Sequence, residues 1–291
     1  MDTVKAKFNE NIDIFRCPVC RGEMRLDNFK SLICLNRHCF DISKRGYVNL
    51  LLNSGKSNYD KEMFESRNII CKAGFFDPLI ESVVALVQQK ISAIGSNYIK
   101  ILDAGCGEGF HLSRVISGLR QKTNADLQGV GIDISKEGIQ IASKNYKDII
   151  WCVADLAKIP FKDKQFEVVL NILSPSNYSE FNRVICDEGI LIKVVPGSSY
   201  LRELREVFYK ETGRETYSGD KVIEHFGRNF NIIDAQNVLY NFAVKNEELK
   251  HLIKMTPLSW GAADDKVQKV FTNGIDYITV DFNIITGSKK L

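Results

Sequence analysis

Long hydrophobic runs are missing from this chain of 291 residues. None approaches the roughly 18–20 apolar residues that a membrane-spanning helix needs, so no membrane role is expected. The stretch from Met1 to Asn11 is polar and mixed in charge, unlike a secretion signal, which points to a cytoplasmic protein. Histidine is scarce at four residues, so an ordered pattern that uses one stands out. Cysteine is not scarce: there are eight. Without a secretion signal, and with two cysteines in a close C-x2-C pair, they fit a reduced protein with a metal site better than a disulfide framework. The scattered Cys71, Cys106, Cys152 and Cys186 are expected to be small buried apolar groups.

Length and composition suit one α/β domain with a small appendage, at 44% hydrophobic and 26% charged residues. The net charge is only +3, but it is unevenly spread. From Arg16 to Lys56 eight basic residues stand against three acids, which leaves the rest of the chain slightly acidic. A basic appendage on a near-neutral body is an electrostatic footprint for a polyanion.

The appendage carries Cys17-x2-Cys20-x13-Cys34-x3-His38. Zinc takes four thiolate or imidazole ligands in a tetrahedron, and two knuckles of this spacing supply them. One structural zinc per chain is expected, held by Cys17, Cys20, Cys34 and His38, with Cys39 as the alternative fourth ligand. Phe15, Met24, Leu26 and Leu32 are too few for a separate core, so the metal is expected to supply much of the folding energy. Leu52 to Asn58 is small and polar, and predicts a linker on which the module moves. Helices are predicted from about Asp60 to Cys71 and from Asp77 to Ile94, the second by its apolar spacing.

Ile99 to Asp103 reads as a strand, followed by a turn with glycine at 105, 107 and 109 and a helix from about Phe110: the nucleotide-binding unit of a doubly wound fold. A dinucleotide turn places pyrophosphate on the helix N-terminus. Here Asp103 and Glu108 flank the glycines, and they suit a cationic ligand instead. S-adenosylmethionine, with its sulfonium and ammonium groups, is such a ligand. Gly129 to Asp133 is a second strand whose terminal acid is placed for ribose hydroxyls. Ile149 to Ala154 is a third, leading to Asp155, placed for the adenine amine. Gly105 and Gly107 allow close backbone approach. Phe166 to Leu173 and Gly189 to Val195 read as further strands and Tyr200 to Thr212 as a helix. Phe230 to Val244, Glu247 to Lys254 and Asp276 to Ile285 read as strand, helix and strand. They close the seven-stranded, Rossmann-like α/β sheet of a class I methyltransferase.

End to end, the chain resembles the bacterial 23S rRNA guanine-N1-methyltransferases, a family that includes the tylosin-resistance methyltransferase. The residues that carry the likeness are Cys17-Pro18-Val19-Cys20, His38 to Asp41, Gly46-Tyr47-Val48-Asn49-Leu50-Leu51, Leu102 to Gly109, Met255-Thr256-Pro257 with Trp260, and Asp281 to Ile284. The resemblance implies methyl transfer from S-adenosylmethionine to N1 of a guanine in a 23S rRNA hairpin near the peptide exit tunnel. It implies cofactor contacts at Phe76, Gly107, Glu108 and Tyr200, the zinc ligands given above, and a homodimer whose fingers bracket RNA. The implied division is a zinc-binding RNA-recognition module at 1–52, a linker and helix at 53–76, and a methyltransferase domain at 77–291. Antibiotic resistance, known in the family, depends on which guanine is modified.

One segment departs from the family. Relatives can carry alanine-proline-cysteine after the fourth strand, where this chain has Ser174-Pro175-Ser176. Ser176 argues against cytosine-C5 chemistry, which needs a cysteine nucleophile. Asn171-Ile172-Leu173-Ser174 does not fit the motif of amino-group methylases. The proton acceptor is left open, with Asn171 read as a structural strand-end tie. His111 is read as a surface or helix-start residue, and His225 and His251 as surface residues. The alternative function is methylation of another RNA or of a small molecule.

Overall fold

The computed structural model describes residues 3–52, 61–209, 219–259 and 264–290. Most of the linker expected from Leu52 to Asn58, and Trp260, lie outside the described residues. The N-terminal part runs through α1 (Thr3–Glu10) and three short antiparallel strands, β1 (Met24–Asp27), β2 (Ser31–Cys34) and β3 (Cys39–Asp41). A fourth strand, β4 (Tyr47–Asn49), belongs elsewhere.

Two helices follow, α2 (Lys61–Lys72) and α3 (Asp77–Ile94). In α3, Leu79, Ile80, Val83, Val84, Val87 and Ile91 recur at helical spacing and are buried, which makes one apolar stripe. Pro78 lies in its first turn, and Gly95, at φ 65°, ends it in the left-handed conformation. The body then alternates β5 (Tyr98–Ala104), α4 (Phe110–Arg120), β6 (Asp126–Asp133), α5 (Lys136–Asn145), β7 (Ile150–Val153), β8 (Phe166–Ile172), α6 (Tyr178–Val184) and β9 (Ile185–Pro196). It closes with α7 (Arg202–Phe208), α8 (Asp220–Asn229), β10 (Phe230–Ala243), α9 (Asn246–Met255), α10 (Asp264–Thr272) and β11 (Tyr277–Lys289).

The main sheet has eight strands in the order β10-β11-β9-β8-β5-β6-β7-β4. The run from β9 to β4 is parallel, and β11 and β10 return antiparallel. The parallel strands are buried on both faces, which is why they read as near-continuous apolar runs. On β5, Ile99 and Ile101 face one core layer while Leu102 and Ala104 face the other. Gly131 on β6 makes room for Trp151, since a Cβ there would lie 2.2 Å from the indole ring. The indole N–H donates to the Tyr146 carbonyl at 2.8 Å.

Two expectations are corrected. The sheet has an eighth strand, because β4 pairs in parallel with β7, Val48 opposite Cys152. The N-terminal module is also not a finger that swings freely. Phe15 bridges to Phe161, the Lys162 amide donates to the Ile14 carbonyl, and the Arg16 amide donates to the Pro160 carbonyl. Phe8, Ile14, Phe15, Leu32 and Val48 join Leu102, Val130, Ile150 and Phe161 in one core. The module was too apolar-poor for its own core, and it uses that of the sheet. Helix α7 is shorter than expected, ending at Phe208, with residues 210–218 outside the described set. Helices α6 and α8 were not anticipated: α6 has only seven residues, whereas α8 has an amphipathic pattern that sequence reasoning missed.

Phe15 is fully buried, with its ring edge-on to Phe161 at 5.4 Å. Phe15→Ala is expected to cost about 3–5 kcal/mol. It should shift a single cooperative urea transition, since module and sheet share a core; separate transitions would contradict that coupling.

Candidate functional site: a zinc ribbon and a cofactor turn on one core

The ligand atoms of Cys17, Cys20, Cys34 and His38 lie within 4.8 Å of one another. Both knuckles close alike. The Arg21 amide donates to the Cys17 carbonyl and the Arg37 amide to the Cys34 carbonyl, with Arg21 and Arg37 left-handed at φ 60° and 62°. The Cys20 and Cys34 sulfurs are 3.7 Å apart, and His38 Nδ1 lies 3.3 Å from the Cys34 sulfur and 3.5 Å from that of Cys17. Tetrahedral zinc spaces its sulfur and nitrogen ligands about 3.5–3.8 Å apart, so the donor set fits the ion. A backbone hydrogen bond at Gly22 brings the Cys20 thiol down to about 6, toward the thiolate that zinc binds. Cys39 is exposed on β3 and stands outside the cluster.

The glycine turn sits at the carboxyl end of β5. Gly105, Gly107 and Gly109 have φ of 88°, 55° and 81°, where other residues are strained. Gly105 is needed for a second reason, because a Cβ there would lie 1.8 Å from the Ser174 hydroxyl oxygen. Asp133, at the end of β6, accepts from the Gly107 amide and from the Ser135 amide, each at 2.8 Å. Asp155 is half-buried and accepts from the Ala157 amide at 2.8 Å, which caps a short 3-10 turn.

Phe76 and Tyr200 line a cleft of 680 Å³ with Arg67, Leu173 to Ser176, Lys193 and His225. That volume is in the range of small-molecule sites. Behind this wall lies a buried charged cluster. Arg67 on α2 pairs with Glu108, Nε to Oε1 at 3.3 Å, and its Nη2 is 3.3 Å from Nδ1 of His111. His111 is buried, edge-on to Phe76 at 4.7 Å, not a surface residue, and burial holds its pKa well below the usual value. Burial raises the Glu108 carboxyl, and Arg67 opposes that rise. Both oxygens of Asp103, Oε2 of Glu108 and Nε2 of His111 are buried without a hydrogen-bond partner among the described residues. Burial, reinforced by Asp133 and Glu108, pushes Asp103 up to about 7. Unpartnered buried acceptors are costly. Carboxylate oxygens in this state suit a ligand that brings N–H donors and positive charge, as S-adenosylmethionine does.

The turn therefore brings together Asp103, Gly105, Gly107, Glu108 and Asp133, with Phe76 and Tyr200 on the adjoining wall. Asp155 follows β7, between Ala154, whose amide donates to the Asp133 carbonyl, and Leu156, which packs near Gly105. Asn171 is a strand-end tie: its Nδ2 donates to the Ala104 and Pro175 carbonyls at 2.7 and 3.0 Å. His225 is exposed, but it lies on the cleft wall, and His251 is half-buried with Nδ1 3.2 Å from the Ser66 hydroxyl oxygen. Sequence reasoning missed Arg67 and Lys193. Arg67 left no signal, being one more charge on an amphipathic helix. Lys193 did leave one, as a lysine inside the apolar run from Ile190 to Val195.

The fold and the two sites define an S-adenosylmethionine-dependent methyltransferase of the Rossmann-like type with an N-terminal zinc ribbon. A family model described as a methyltransferase domain matches residues 96–213, and one described as "RlmA, N-terminal" matches residues 15–57. Similar proteins include a putative 23S rRNA (guanine-N(1)-)-methyltransferase, YxjB, of Bacillus subtilis (strain 168), 44% identical over 96% of this chain and 98% of the relative. The 23S rRNA (guanine(748)-N(1))-methyltransferase of Streptomyces fradiae is 27% identical over 87% of this chain and 88% of its own. The chain belongs to the 23S rRNA (guanine-N1)-methyltransferase family.

Two outcomes are expected. Metal analysis of the purified protein should find about one zinc per chain, lost in Cys34→Ser; a folded ribbon without zinc would refute the site. For Asp103, a folded-state value near 7 against about 3.9 when unfolded means its contribution is fully present below about pH 4. It is lost as the pH rises through about 7. The stability of Asp103→Asn relative to the parent should therefore rise between about pH 4 and about pH 7, and level off above, in cofactor-free urea titrations. A pH-independent difference would contradict it.

Proposed function

We propose that this chain transfers a methyl group from S-adenosylmethionine to N1 of a guanine in a 23S rRNA hairpin, near the peptide exit tunnel. In this reading Asp103, Gly105, Gly107, Glu108, Asp133, Phe76 and Tyr200 hold the cofactor. Asp155 reaches the adenine amine from its place at the end of β7. Residues 1–52 form the RNA-recognition module, residues 53–76 a linker and helix, and residues 77–291 the transferase. The protein works in the cytoplasm, as a homodimer.

One observation carries the reading: the zinc ribbon and the cofactor turn are built on one core, with a basic groove at their junction. Lys44 and Arg45, just before β4, line that groove with Lys61 on α2, Lys144 on α5 and Lys147. Only Glu65 and Glu137 oppose them there among the described residues. A groove of this sign suits a phosphate backbone. A hairpin lying in it would present an unstacked loop base to the cleft, where the base edge is accessible to chemistry. A small-molecule methyltransferase has no use for a basic ribbon beside its cofactor.

Mass mapping of large-subunit rRNA from cells with and without the protein tests this. The expected result is loss of one N1-methylguanine from a 23S hairpin. An unchanged map, with intact cofactor binding, would move the activity to another substrate.

A further inference from the structure

Strand β9 carries Ile190, Leu191, Ile192, Val194 and Val195 as buried apolar side chains, and Lys193 sits among them at 4% exposure. A lysine there gives up its hydration, which is costly unless something replaces it. Its ammonium donates to Oδ1 of Asn171 and to the Ser174 carbonyl, each at 2.5 Å. Both acceptors are neutral. No carboxylate lines the cleft among the described residues, and burial draws the Lys193 pKa down to about 8. An ammonium has three N–H donors, and these contacts use two.

The acceptors are themselves held in place. Asn171 is tied to the Ala104 and Pro175 carbonyls, and the Ser176 hydroxyl donates to its Oδ1 at 2.9 Å. Ser174 packs on Gly105 of the cofactor turn. Leu173, between them, is left-handed at φ 52°, a conformation that costs energy for a leucine and persists only where its surroundings impose it. One rigid loop therefore joins Lys193 to the turn that holds the methyl donor. The other ionisable groups on the cleft are Arg67, Tyr178, Tyr200, Lys221 and His225. Arg67 is committed to Glu108. Lys193 is a buried cation, without a carboxylate among the described residues, on the wall of the cleft that Phe76 and Tyr200 also line.

Guanine N1 carries a proton at neutral pH, and its removal places negative charge on N1 and on O6. We propose that Lys193 contacts the substrate, donating to O6 of the target guanine and holding the charge that N1 gains when its proton leaves. The inference rests on the guanine-N1 reading above. The N1–H bond breaks and the proton passes to solvent in the cleft. The electron pair freed at N1 forms the bond to the methyl carbon. The bond from that carbon to sulfur breaks, its pair stays on sulfur, and S-adenosylhomocysteine leaves neutral. The methylated base is again neutral, with a carbonyl at O6.

The test compares the parent, Lys193→Met and Lys193→Arg in single-turnover methylation of a 23S rRNA transcript, from about pH 6 to about pH 9. Cofactor binding is measured by calorimetry, and the product is identified by mass. The parent rate should rise up to about pH 8, as hydroxide takes the N1 proton, and level off above it, where Lys193 loses its own proton. Lys193→Met should bind cofactor normally but be slower by about 100-fold or more near pH 7, the scale for removing one charge-stabilising donor. Its rate should then climb with pH, because hydroxide supplies the unassisted N1 anion. Lys193→Arg should keep most of the rate and continue to rise past about pH 8, since a guanidinium keeps its proton. A Lys193→Met profile lowered by a constant factor but unchanged in shape would reduce Lys193 to a tie for the loop. A Lys193→Arg variant as slow as Lys193→Met would make Lys193 the proton acceptor, because a guanidinium can donate a hydrogen bond but cannot take up a proton. Either result overturns the proposal while the guanine-N1 reading stands. A parent that binds cofactor but makes no N1-methylguanine would overturn both.

Discussion

The parallel pairing of β4 with β7 is the constraint on which the rest of this molecule depends. Three residues, Tyr47 to Asn49, lie along Trp151 to Val153 and cover an edge that would otherwise expose unpaired backbone groups. The register matters because side chains alternate between faces. A slip of one residue would move Val48 out of the layer it shares with Phe15, Ile150 and Phe161. The same register fixes the loop before β4. Arg45 donates to Oε1 of Gln140, and Nε2 of Gln140 donates to the Tyr47 hydroxyl, so the basic loop is pinned to α5, next to the cofactor turn. A short strand thus converts a zinc ribbon that could have hung on a tether into a fixed wall.

The cofactor turn shows the opposite economy. Asp103, Glu108 and His111 keep buried polar atoms without partners among the described residues, while Arg67 compensates only part of the local charge. Such groups lower stability in the free protein, and the balance changes only when a ligand with complementary donors arrives. On the facing wall the imbalance has the other sign. Lys193 is buried against neutral oxygens, beside a loop strained at Leu173. Unsatisfied carboxylates behind the cleft wall and a buried cation on it, held only by neutral oxygens, suit two partners of opposite character.

Much of this was legible beforehand, for identifiable reasons. Helix α3 was read to the residue because its apolar stripe is strong and a proline and a glycine mark its ends. The strands β5, β6 and β8 were read because burial on both faces makes them short apolar runs; a glycine follows β5 and an acid ends β6. The four zinc ligands were legible because knuckle spacing is local, which is also why the choice between the neighbours His38 and Cys39 needed coordinates. Gly46 to Leu51 stood out as a family segment, but its role as an eighth strand was hidden. A strand of three residues has no pattern of its own, and its partner lies about a hundred residues away.

The sequence by itself determined the local chemistry: two metal knuckles, a glycine turn flanked by acids, and the order of strands that carries the turn. These are short-range features, set by spacing and by backbone freedom. The tertiary structure decided what is buried, and through burial which groups carry unusual charge. Arg67 meets Glu108 across forty residues, His111 leaves the surface, and Lys193 enters an apolar layer. None of these is local, because desolvation and ion pairing depend on what the folded chain places beside a side chain, not on what precedes it.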